Sequence, residues 1–139
     1  MSLAKAQGLR NRKMSMEDAM GFLHDLMVMI LGWFLILGAA LHGLATWRRI
    51  GHATTEFVWS FGAALAALTI GVLNLLLIHR PRDAALALLA ATGALAWAAI
   101  AQAFGRAIQN PSDPRVLWHL ACGAGLAFLG VITLVGALL

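Results

Sequence analysis

The chain has 139 residues, of which 61% are hydrophobic and only 12% are charged, with a formal net charge of +4. Soluble domains are about half apolar and about one-quarter charged, so this chain has too few polar residues to cover a domain in water. The composition therefore excludes an ordinary soluble enzyme or binding module and predicts an integral membrane protein.

The front of the chain, residues 1–18, forms a basic arm. It carries Lys5, Arg10, Arg12 and Lys13 before the first acid, Glu17. Basic residues beside a membrane segment are typical of topology signals and of contact with anionic lipid. The arm therefore predicts membrane lipid as a partner and does not predict nucleic-acid binding.

Four long apolar blocks follow, separated by short polar segments. They cover residues 20–46, 57–78, 84–104 and 116–139. Each block can cross a hydrocarbon core of about 30 Å as a helix that rises about 1.5 Å per residue, and none shows the alternation of a barrel strand. The sequence predicts one all-α integral membrane domain over residues 1–139, with four transmembrane helices in an up-down-up-down bundle with short loops.

Residues typical of helix starts precede two of the blocks. Ser15 with Asp18 predicts a capping box ahead of the first block, and Ser112 or Asp113 is expected to cap the fourth.

The first block contains an acid, Asp25, which is costly inside a membrane and should have a partner. Arg80 and Arg82 are expected on the same side of the membrane, so an ion pair from Asp25 to one of them is the structural prediction. The functional alternative makes Asp25 a proton or cation site. Asn74 and Gln102 would then be its only other deep polar company.

Histidines mark both ends of the bundle. His24 and His42 are five helical turns apart and share one stripe of the first helix. Alternating topology places His79 on the side of His24 and His119 on the side of His42. Two such pairs are the arrangement of a membrane cytochrome with two b-type haems, whose irons take axial imidazoles from different helices.

Distance counts against haem at these histidines. The two rings would lie about 27 Å apart along the helix axis, which places both pairs near the headgroups. The alternative is that these histidines are interfacial and form hydrogen bonds to backbone, water or headgroups.

Small residues recur at steps of three and four along the later blocks. Small faces let helix backbones approach closely in lipid, so they predict helix contacts, within the chain or with a partner. The residues concerned are Ala87, Ala91, Ala94 and Ala98 in the third block, Gly71 in the second and Gly125 in the fourth.

The excess of basic residues on one side predicts that both termini are cytoplasmic. That side would hold Lys5, Arg10, Arg12, Lys13, Arg80 and Arg82, and the other side Arg48, Arg49, Arg106 and Arg115. Translation from Met14 would remove the arm and reverse the prediction.

Together, these patterns predict a protein of the bacterial inner membrane that is a non-catalytic accessory or scaffold subunit of a larger complex. Its partners would be other membrane subunits or further copies of itself, with no catalytic residue and no metal site; the lone Cys122 lacks a second thiol. The first alternative is an electron-transfer subunit associated with haem or quinone through the paired histidines. The second is a small transporter centred on Asp25.

Overall fold

The computed structural model describes residues 15–50, 52 and 54–139. It contains four α-helices: α1 (Met16–Arg49), α2 (Thr55–His79), α3 (Ala84–Ala107) and α4 (Pro114–Leu138). Each is long and apolar enough to cross a membrane, and no strand occurs in the described ranges. The predicted class, an all-α protein with four membrane-spanning helices, is confirmed.

The first helix begins earlier and ends later than the apolar block predicts. At its start, Ser15 Oγ accepts a hydrogen bond from the backbone N–H of Asp18 (3.1 Å), and the Asp18 carboxylate accepts from the N–H of Ser15 (3.2 Å). This is the predicted capping box, and it lets α1 begin at Met16. With 34 residues, α1 is about 51 Å long and must tilt or project beyond a core of about 30 Å.

The start of α4 is fixed by Asp113, one of the two predicted caps. Its carboxylate accepts hydrogen bonds from Nε (2.9 Å), Nη2 (2.7 Å) and the backbone N–H (2.9 Å) of Arg115. These bonds lower the pKa of Asp113 from 3.8 to about 2. The carboxylate therefore stabilises the fold above about pH 3.8 and loses that effect as the pH falls toward 2.

The helices are arranged as two hairpins. The most extensive packing is of α1 on α2 and of α3 on α4, and smaller contacts of α1 with α4 and α2 with α3 join the pairs. On α1, Gly32 lies against Leu75 and Gly43 against Ala64, so later residues of α1 meet earlier residues of α2. This register is antiparallel and is compatible with an up-down-up-down bundle.

The core is built mostly from small side chains. The only large hydrophobic side chains with no more than 1% exposure in the described chain are Leu35, Leu126 and Val28. The small residues named from the sequence are placed as follows: Ala87, Ala91, Ala94, Ala98 and Gly71 are buried, and Gly125 is half-buried.

Gly123 of α4 lies close against the backbone of α3. A Cβ built on Gly123 would lie 3.0 Å from the carbonyl oxygen of Ala94 and 3.0 Å from the nitrogen of Ala98. Both are backbone atoms, which cannot rotate away as a side chain can. The spacing of α3 and α4 therefore depends on the absence of a side chain at this position.

We predict that Gly123→Ala destabilises the protein. The added methyl would meet backbone atoms of α3 and force α3 and α4 apart, which should lower the free energy of unfolding by about 1–3 kcal/mol. Thermal unfolding in one mild detergent, followed by circular dichroism, measures the change.

Two glycines of the same helix provide matched controls. A methyl at Gly125 would meet only the end of the Leu31 side chain, which can move, and a methyl at Gly136 would meet nothing within 4 Å. We expect a smaller loss for Gly125→Ala, and no loss for Gly136→Ala because alanine favours the helix. Equal stability of the Gly123 and Gly136 variants would contradict the prediction.

Candidate functional site

Polar side chains within the described spans gather mainly at two levels, one toward each end of the bundle. The His24 cluster consists of His24, Asp25, Thr133 and the carbonyl of Leu129. The His119 cluster consists of His42, Thr46, Ser60, Trp97 and His119. The His24 cluster does not include His79, the histidine expected beside His24. The His119 cluster includes both expected histidines together with three further side chains.

In the His24 cluster, one imidazole links α1 to α4. Nδ1 of His24 lies 3.2 Å from Oδ1 of Asp25, and Nε2 lies 3.3 Å from the carbonyl oxygen of Leu129 and 3.2 Å from Oγ1 of Thr133. The Thr133 hydroxyl can donate to the same carbonyl (3.1 Å). Both ring nitrogens therefore face acceptor oxygens, one on α1 and one on α4.

The neighbours of Asp25 and His24 differ from those expected. Asp25 contacts His24, not Arg80 or Arg82, and both arginines are exposed with no side-chain ion pair in the described chain. His24 bonds to α4, while His79 is exposed at the end of α2 and forms no side-chain hydrogen bond there. The reason is that helical spacing places a residue at a level of the membrane but does not specify which helix stands opposite.

The His119 cluster brings together side chains from all four helices. Trp97 Nε1 donates to Nδ1 of His119 (3.3 Å), and the two rings meet edge to face with centroids 5.5 Å apart. On the other hairpin, Ser60 Oγ lies 3.1 Å from Nε2 of His42 and 2.8 Å from Oγ1 of Thr46.

The two histidines of this cluster lie at the same level. A Cβ on Gly38 would be 3.0 Å from Cε1 of His119, and Gly38 is one helical turn before His42 on α1. The structure thus places His42 within about one helical turn of His119 at the same end of the bundle, whereas the described side chain of His24 bonds to α4 and that of His79 is exposed.

Three members of the His119 cluster were not named as site residues from the sequence: Thr46, Ser60 and Trp97. Trp97 is 6% exposed, and a buried indole N–H needs an acceptor, which is the signal that could have identified it. Ser60 falls on a stripe of small residues, so its spacing indicates packing as readily as hydrogen bonding.

The hydrogen bond from Trp97 fixes the tautomer of His119. An indole nitrogen can only donate, so Nδ1 of His119 accepts and the hydrogen of the neutral ring lies on Nε2. Iron is ligated by an unprotonated ring nitrogen. Axial ligation of haem through Nε2 would therefore require the Trp97 bond to break, which disfavours His119 as a haem ligand in this arrangement.

The other deep polar residues lie apart from Asp25. Asn74 is 1% exposed; its Nδ2 donates to the carbonyl of Ile70 (2.9 Å), and its Oδ1 has no partner in the described chain. Gln102 is exposed. Neither forms a hydrogen bond with Asp25 or His24 in the described ranges, so the structure does not assemble these groups into one polar path.

The seam between α1 and α2 contains an open apolar groove of about 480 Å³. Small residues form much of its surface, and two rings, Trp47 and Phe61, lie at one end with centroids 6.4 Å apart. The lining residues are Ala39, Ala40, Gly43, Leu44, Trp47, Phe61, Ala64, Leu65 and Leu68.

Comparison with known protein families, with characterised proteins and with solved structures finds no match to this chain.

We predict that His24→Phe destabilises the bundle. Phenylalanine keeps a ring of similar size but loses both hydrogen bonds from α1 to α4, which should cost about 1–2 kcal/mol of unfolding free energy. The measurement is thermal or denaturant unfolding in mild detergent, with His79→Phe as the matched exposed control.

A double-mutant cycle with Thr133→Val assigns the effect to the His24 cluster. If His24 acts through Thr133 and the carbonyl that Thr133 shares, the double variant should lose less stability than the sum of the single variants. Strict additivity, or an equal loss in His79→Phe, would show that the imidazole does not hold α1 to α4.

Proposed function

We propose that this multi-pass membrane protein is a non-catalytic accessory or scaffold subunit of a larger membrane complex. The observation that carries the proposal is the open groove between α1 and α2, where Ala39, Gly43 and Ala64 form a buried floor of small residues and Ala40 is exposed beside them. Apolar surface alone attracts no partner in lipid, because lipid tails are equally apolar. Small residues do favour association between helices, because they permit close contact between the backbones.

The contrast with α3 supports this assignment. The small stripe of α3 is buried against α4, for example where Ala91 meets Gly130. Within the described chain that stripe is covered by α4, whereas beside the buried floor of the groove lining residues remain exposed, among them Ala40, Leu44, Leu65 and Leu68. Its lining has no charged side chain, so the occupant that fits is an apolar transmembrane helix of another subunit, with aliphatic side chains that enter the groove.

Cross-linking in native membranes tests this proposal. A photoreactive residue at Ala40 or Leu68, inside the groove, should give a reproducible adduct with another membrane protein. The same residue at Leu89, which is 60% exposed on α3, is the matched control and should give no such adduct. Because the contact is specific, a groove-filling Ala40→Leu substitution, with the photoreactive residue at Leu68, should abolish the adduct.

Three results would contradict the proposal. A protein that purifies in mild detergent as a stable monomer without a partner would refute a subunit role. An adduct only with a second copy of the chain would replace the foreign subunit by self-association. Equal adducts from Leu89 and Ala40 would show that the groove is not a specific contact surface.

We further propose the bacterial inner membrane as the location, with both termini in the cytoplasm. The support is the excess of basic residues on the side of the N-terminal arm and of the segment between α2 and α3, where Arg80 and Arg82 lie.

A fluorescent-protein fusion at the C-terminus tests this orientation, because such a reporter fluoresces when it remains in the cytoplasm and not after export through the general secretory route. We expect fluorescence from the full chain, and no phosphatase activity from the matching alkaline phosphatase fusion. Deleting residues 1–13 removes Lys5, Arg10, Arg12 and Lys13 and should shift the reporters toward the opposite pattern. A phosphatase-active fusion of the full chain would overturn the assignment.

A further inference from the structure

The His119 cluster has hydrogen-bonding capacity that the proposed subunit role does not use. It lies inside the apolar layer: His119 follows the start of α4 by five residues, and Ser60 follows the start of α2 by five, which is about 7.5 Å along each helix. Both helices have 25 residues and are about 37 Å long, against a core of about 30 Å. The cluster therefore lies about 4 Å below the headgroup boundary.

At this depth the cluster presents a donor without an acceptor. Because Trp97 donates to Nδ1, the hydrogen of His119 lies on Nε2, and Nε2 has no hydrogen-bond partner in the described chain. The His119 side chain is half-buried, and its Nε2 is not fully enclosed by the described residues. An unpaired N–H in an apolar layer is unfavourable, so the site favours a ligand that supplies an acceptor.

The neighbouring polar chain supplies a second donor in one of the two directions that its hydrogen bonds can take. Thr46, Ser60 and His42 form a row of hydrogen bonds, and His42 is exposed at its end. If Thr46 donates to Ser60 and Ser60 to Nε2 of His42, the remaining ring hydrogen of His42 lies on Nδ1. In the opposite direction, Nε2–H of His42 donates to Ser60, and the Ser60 hydroxyl donates to Thr46.

Aromatic surface adjoins these donors. Trp118 comes directly before His119 in α4, and its ring stacks on that of Phe34 with the centroids 5.0 Å apart. A Cβ on Gly38 would contact both Trp118 and His119. The site therefore combines N–H donors with flat rings, which suits a planar ligand that only accepts hydrogen bonds.

We propose that the His119 cluster binds a carbonyl oxygen of a membrane amphiphile, with Nε2–H of His119 as the donor. Two amphiphiles bring carbonyls to this depth: a quinone, through its ring, and a glycerolipid, through its esters. The adjoining rings favour the quinone. This site is independent of the groove between α1 and α2 and does not rest on the proposed subunit role.

Quenching of tryptophan fluorescence tests the proposal with the intact protein in lipid nanodiscs. A decyl-substituted benzoquinone is the probe, because an electron-poor ring that binds beside Trp97 and Trp118 should quench them. We expect saturable quenching above the linear contribution of probe dissolved in lipid. The corresponding decyl dimethoxybenzene, which has no carbonyl and is too electron-rich to quench, should not displace the quinone when it is added in excess.

His119→Phe should weaken binding of the decyl-benzoquinone by about tenfold, since the ring remains and the donor is lost. His119→Gln, which retains an N–H donor, should recover part of the affinity. His79→Phe, at the other end of α2, should leave binding unchanged. If His119→Phe does not fold, Ser60→Ala on the opposite hairpin tests the same site and should weaken binding severalfold.

Ether-linked lipids, which lack ester carbonyls, distinguish the two amphiphiles. Saturable quenching in both ester and ether nanodiscs that is lost in His119→Phe supports the quinone. No saturable quenching, together with an ester lipid that survives delipidation on the native protein but not on His119→Phe, supports the glycerolipid. The absence of both effects, or equal affinities for the native protein and His119→Phe, would overturn the proposal.

Discussion

The structure depends on how closely the helices can approach one another in lipid, where the hydrophobic effect does not drive apolar side chains together. Leucine on a lipid-facing surface gains little by moving against another helix, so association must come from contact between backbones and from the few polar groups. At Gly123, α4 meets Ala94 and Ala98 of α3 with only backbone and methyl groups between the helices. This contact fixes the hairpin of α3 and α4 and, with it, the positions of Trp97 and His119.

The polar groups then join the hairpins at opposite ends. His24 connects α1 to α4 through Leu129 and Thr133. At the other end Trp118 of α4 donates through Nε1 to the carbonyl oxygen of Phe34 on α1 (3.1 Å), while Trp97 holds His119 within its own hairpin. Hydrogen bonds thus bridge the hairpins at both ends, and at the second end Nε2 of His119 remains without a partner in the described chain.

The helices, their caps and their small faces could be predicted from the sequence because these features depend on local order along the chain. Asp18 follows Ser15 at the spacing of a capping box, and Ala87, Ala91, Ala94 and Ala98 repeat with the helical period. The neighbours of His24 and Asp25 could not be predicted, because an α-helical stripe gives a level and a face but not the identity of the facing helix. Trp97 and Asn74 show a second limit. The partner of a buried polar atom depends on packing between helices over a few ångströms, and the spacing of residues along the sequence does not specify that packing.

The division into two hairpins has a mechanical consequence. Each hairpin is closely packed along its length, while the contacts between hairpins are fewer, so the easiest deformation of the bundle is a rotation of one rigid pair against the other. The His24 bridge and the bond from Trp118 to Phe34 both tie α1 to α4 across the boundary between the hairpins, so this rotation would strain both bonds. A change in the angle between the hairpins would therefore displace side chains at both histidine levels together.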